Sequence, residues 1–82
     1  MTRSFKQFDQ RMRKYTFYTQ VVKMAADMDV SLKDLYEGPR VPSIVFARRK
    51  VYRWLMSSRK KSLNEVARMF DRAPSGVFKI VK

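Results

Sequence analysis

Along the first third of the chain, apolar residues recur three, four or seven positions apart: Phe5, Phe8, Met12, Tyr15, Val22 and Ala26. That spacing predicts one face of a long amphipathic N-terminal helix. Tyr15-Thr16-Phe17-Tyr18-Thr19 is β-prone in isolation, so the pattern admits a break near it. Asp29-Val30-Ser31 interrupts the run. Ser31 can cap a short helix with Leu32 and Leu35 on its buried side and Asp34 near the positive end of its dipole. Glu37-Gly38-Pro39-Arg40-Val41-Pro42 cannot continue a helix and reads as an exposed loop. Ser43 is expected to cap the next helix, running to about Ser58. Its apolar stripe is Ile44, Ala47, Val51, Trp54 and Leu55, with Arg49, Lys50 and Arg53 on other faces. Ser62-Leu63-Asn64-Glu65 has capping-box spacing and opens another helix with Val66 and Met69 buried. Phe70 to Pro74 reads as a turn, and Pro74 suits the first position of a last helix that carries Val77, Phe78, Ile80 and Val81. The expectation is an all-α domain of about five helices. Trp54, Phe70, Phe78 and the six Met are expected in its core rather than stacked on unpaired bases.

Composition narrows the function. At 82 residues the chain is one domain, and its 45% hydrophobic content is enough to fold it. With no Cys there are no disulfides, iron–sulfur clusters or thiolate zinc sites. With no His the commonest general base and metal ligand are missing. Asp27, Asp29, Asp34 and Glu37 could be imagined as a magnesium cluster, but they fall at helix ends and no base or nucleophile accompanies them. No enzymatic activity, cofactor, metal or small-molecule substrate is expected.

The net charge of +12 points instead to a polyanion. It is unevenly placed. Residues 1–37 carry seven bases against five acids, net +2, whereas residues 38–82 carry twelve bases against only Glu65 and Asp71, net +10. The second half is therefore the expected contact surface. The N-terminal stripe is expected to be scaffold or a homodimer surface. No secretory or membrane-spanning segment is visible, so a cytoplasmic, nucleoid-associated protein is expected.

Residues 62–82 read as short helix, tight turn, short helix, with the apolar spacing of a helix-turn-helix. Arg72, Ser75 and Lys79 lie near the start of the second helix, where such motifs meet bases. An ordinary helical hairpin packing a small core has the same pattern; the +10 charge of this half favours the DNA-binding reading.

Residues 22–82 also resemble the C-terminal DNA-binding domain of the bacterial replication initiator DnaA, a Trp repressor-like fold. The resemblance rests on Val30-Ser-Leu-Lys-Asp-Leu35, a basic loop, Ile44-Val45…Ala47-Arg48-Arg49-Lys50-Val51…Leu55, Ser62-Leu-Asn-Glu-Val66…Phe70 and Val77. It leaves residues 1–21 outside, as an N-terminal amphipathic helical extension. It implies that Arg40 enters a minor groove from the basic loop, that Arg49 binds phosphate, and that Lys50 makes a neighbouring polar contact. Leu63 and Asn64 match the helix start whose amides meet phosphate. Where the family reads bases with Asp-His-Thr-Thr, this chain has Ala73-Pro74-Ser75-Gly76 after a turn one residue shorter. Ala73 and Pro74 have no side-chain donor or acceptor for a base edge. Two isolated Gly form no phosphate loop, so the nucleotide-binding part of an initiator is not here.

The expected partner is double-stranded DNA, in a bacterial or phage transcription regulator or replication-associated protein, with Arg48, Lys60 and Lys61 adding to the contact set. The chain could be the N-terminal domain of a larger regulator that meets the transcription machinery. The alternative is a basic amphipathic module, since residues 46–61 have the basic, aromatic look of an interfacial or calmodulin-target helix. That alternative requires Trp54 and Leu55 to be exposed.

Overall fold

Three serines and two prolines start five of the six helices found among the described residues, 4–82, of the computed structural model. The helices are α1 (Phe5–Met12), α2 (Tyr18–Asp27), α3 (Leu32–Glu37), α4 (Pro42–Ser58), α5 (Leu63–Met69) and α6 (Pro74–Val81). Ser4, Ser31 and Ser62 each accept a hydrogen bond from the amide three residues on, at 3.3, 3.1 and 3.1 Å. The last two are reciprocal boxes, because Asp34 and Glu65 accept from the Ser31 and Ser62 amides. The hydrogen bonds to Ser62 hold the Glu65 carboxyl below its ordinary pKa. Pro42 and Pro74 occupy the first turns of α4 and α6, where a missing N–H leaves no bond unmade. Ser43 therefore does not cap α4: Val41 holds that position and the helix begins at Pro42. Asp29, Lys60 and Asp71 adopt left-handed φ values of 57°, 54° and 53° just past the ends of α2, α4 and α5.

The long N-terminal helix is broken near the β-prone residues 15–19, where the sequence admits a break, into α1 and α2 separated by turns at 13–17. The aromatic and β-branched residues 15–19 have low helix propensity, and side chains brace the corner. Asp9 accepts from Arg13 Nε and from the Tyr18 hydroxyl, both at 2.7 Å, and these bonds lower the Asp9 pKa, Tyr18 more than Arg13. The corner shifts the helical phase. Phe8 and Met12 are buried as expected, but in α2 the inward positions are Val21 and Ala25, while Val22 is half-buried and Ala26 exposed. Phe17 is buried at the corner, with its ring 4.8 Å from Tyr15 and edge-on to Trp54 at 6.1 Å. Residues 1–3 of the expected extension lie outside the described residues.

One core joins all six helices. Phe8 stacks on Tyr36 at 4.3 Å and lies 5.2 Å from Phe70, and Phe70 meets Tyr52 edge-on at 4.9 Å. Around these rings pack Leu35, Val51, Leu55, Val66 and Val77, all fully buried. The described residues extend over 30 × 28 × 25 Å.

Candidate nucleic-acid interface

Helices α5 and α6 form the short helix, tight turn and short helix expected over residues 62–82, with Phe70, Asp71, Arg72 and Ala73 between them. The turn closes as a Schellman motif: the Arg72 amide donates to the Ala67 carbonyl at 2.8 Å and the Asp71 amide to the Arg68 carbonyl at 3.3 Å. Its tip is held from two directions. Arg11 of α1 and the Tyr36 hydroxyl of α3 each donate to Asp71 Oδ2 at 2.8 Å. Burial, and then the bond to Asp71, push the Tyr36 hydroxyl above its ordinary pKa. Val77, fully buried, fixes the rotation of α6, so Ser75, Phe78, Lys79 and Lys82 face outward.

The sequence-predicted contact residues divide into three groups. Arg40, Lys50, Lys60, Asn64, Ser75 and Lys79 are exposed. Arg40 sits in the loop between α3 and α4, and Lys50 Nζ lies 5.4 Å from the Phe46 ring, itself half in solvent. A second group is engaged within the fold and half-buried. Arg49 Nε donates to the Ile80 carbonyl at 2.8 Å, and Arg72 Nη2 to the Tyr36 carbonyl at 2.6 Å. Lys61 Nζ lies 5.4 Å over the Tyr15 ring and 3.9 Å from Glu65, while Leu63 packs against the core.

The third group is Arg48 alone, and it is a correction. It is 2% exposed and donates to the carbonyls of Leu35 (2.9 Å), Asp34 (3.2 Å) and Gly38 (2.8 Å). A phosphate cannot reach a guanidinium enclosed in this way. Arg48 and Arg72 together cap the carbonyl end of α3, where cations also meet the negative end of the dipole. Burial first, and then the charge of Arg72, lower the Arg48 pKa from its ordinary value. Arg49 and Arg53 cap α6 in the same manner, Arg53 donating to the Val81 carbonyl at 3.0 and 2.8 Å.

Counting charges cannot separate solvated arginines from those that close helix ends, because both look alike in composition. The outward Phe78 also departs from expectation. Expected in the core, it is 51% exposed, and the signal lies in its offset from buried Val77: adjacent helical positions point about 100° apart.

Between α1 and α5 lies a cleft of about 420 Å³ lined by Arg11, Tyr15, Glu65, Ala67, Arg68, Met69, Asp71 and Arg72. Among the described residues no group of acids is arranged to hold a metal, and no helix is long and apolar enough to cross a membrane. The α4 stripe on which the membrane-surface alternative depends is in the core: Ile44, Ala47, Val51 and Leu55 are buried and Trp54 is half-buried. The chain matches no protein-family model, no curated protein and no solved structure.

Proposed function

We propose that this protein binds double-stranded DNA through the helix-turn-helix of α5 and α6, as the DNA-contacting part of a transcription regulator or replication-associated protein. The observation that carries the reading is the outward face of α6. It presents Ser75, Phe78 and Lys79, with Lys82 just past its end and no acid anywhere on the helix, in a half of the chain whose net charge is +10. A helix about 10–12 Å across fits a major groove about 12 Å wide. Arg40 and Lys50 supply cations for the backbone or an adjacent minor groove, and Arg49 and Arg72 position the two helices from within. The resemblance to the DnaA C-terminal domain is consistent with this use of the motif and belongs to the same proposal.

The test is duplex affinity as a function of salt. The exposed bases of the second half make about four to six phosphate contacts, so log K against log salt is expected to slope at about −4 to −5. A slope near zero on duplex DNA, alongside tight binding to anionic vesicles, would overturn the proposal in favour of a membrane surface.

A further inference from the structure

Phe78 is the residue of α6 that the fold does not explain. Large aromatics are normally drawn inside, and this helix already has an inward side made by Val77, Ile80 and Val81. Phe78 instead stands half in solvent, one turn from Ser75 and beside Lys79, with Lys82 a turn further on. Resting on the DNA-binding reading above, we propose that Phe78 is a specificity-determining residue that reads thymine through its C5-methyl group on the floor of the major groove.

Three features support that assignment. The thymine methyl is the apolar group a base pair offers in the major groove, and an aromatic side chain is a suitable partner for it. The cations flanking Phe78 match a polyanion rather than an apolar protein partner, and α6 has no acid to oppose them. The leading turn of α6 is also slim. Ala73, Pro74, Ser75 and Gly76 carry little bulk, and a Cβ built on Gly76 meets nothing within 4 Å. The helix can thus come close enough to a groove floor for a ring one turn further on to touch it. Hydrogen-bond readout cannot replace this contact at Ala73 and Pro74, which have no polar side-chain atoms.

The experiment uses the full chain and a site selected from random duplexes, with each thymine of that site replaced in turn by deoxyuridine, which removes only the methyl. At one thymine or more, the wild-type protein is expected to lose about fourfold in affinity, the value of one methyl-sized group withdrawn from water. Phe78→Ala is expected to bind the thymine and uracil duplexes equally, and Phe78→Leu to restore a difference. Because the ring is half in solvent, thermal melts of both variants are expected to match the wild type. Indifference of the wild type to every replacement, or a thymine preference retained by Phe78→Ala, would overturn the inference while leaving DNA binding intact. Failure of the wild type to bind any duplex would overturn the proposed function and the inference together.

Discussion

At the scale of single residues, buried polar atoms separate what packing demands from what it merely tolerates. Arg48 is enclosed yet makes three carbonyl contacts, so its burial is compensated. Tyr52 is enclosed and its hydroxyl has no hydrogen-bond partner among the described residues. A buried hydroxyl left in that state costs about 1–3 kcal/mol, so Tyr52→Phe is expected to raise stability by about 1 kcal/mol in denaturant titrations. The pH dependence gives a second reading. Burial raises the folded-state pKa of Tyr52 despite the opposing charges of Arg72 and Arg48, whereas the unfolded chain titrates near its ordinary value of about 10. Above that pH the unfolded state gives up a proton that the folded state keeps. The contribution of the neutral hydroxyl is therefore complete below about pH 10 and is lost as pH rises towards the folded value. Tyr52→Phe is expected to soften the alkaline fall in stability without removing it, because Tyr18 and Tyr36 are raised as well. An unchanged alkaline limb would mean that Tyr52 titrates freely. Gly38 shows the converse case, a position that packing demands. Its φ of −67° suits any residue, but an added Cβ would stand 2.5 Å from the Asp34 carbonyl oxygen.

At the scale of elements, the legible parts were those set by local chemistry. Ser31, Ser62 and Pro74 start helices by bonds or ring constraints within a few residues, so their places could be read from spacing alone. The α1–α2 corner depends on Asp9 joining Arg13 and Tyr18 and on Phe17 meeting Trp54, contacts that a count of apolar spacings does not contain. The same holds for Arg48, Arg49, Arg53 and Arg72, whose use as caps on α3 and α6 exists only once the helices meet. Of the candidate interface, the helix-turn-helix and its outward Ser75 and Lys79 were readable, and Phe78 was not, because apolar character alone does not give direction. Gly76 yields a prediction at this scale. It lies within α6, has no positive φ and has open space where a Cβ would be. Gly76→Ala is therefore expected to stabilise the fold by about 0.5–1 kcal/mol through backbone entropy, yet to weaken duplex binding several-fold by thickening the leading turn of α6. Paired thermal melts and duplex titrations check both signs. A variant that melts higher and binds as tightly would show that this turn does not approach DNA.

At the scale of the whole molecule, α1 packs into the same core as α5 and α6. Phe8 and Met12 reach the centre of the core, and Arg11 spans from α1 to Asp71 at the tip of the turn. Magnitudes decide which of these ties matters. The Arg11–Asp71 pair is partly solvated, with side chains 33% and 20% exposed, and such pairs contribute about 0–1 kcal/mol. Removing the Phe8 ring, which touches both Tyr36 and Phe70, costs about 3–5 kcal/mol. For a domain of this length the total stability is about 4–12 kcal/mol, so that one ring carries a large share of it. Phe8→Ala is expected to lower the melting midpoint by more than about 10 °C, and Arg11→Ala to change it only slightly. Deleting residues 1–14 removes Phe8 and Met12 together and is expected to abolish cooperative melting. A separable scaffold would instead leave a folded, DNA-binding remainder. Thermal melts of the three variants, followed by duplex titration of any that remain folded, decide the matter. A sharp transition with retained DNA binding in the deletion variant would show that α2 to α6 fold and act alone.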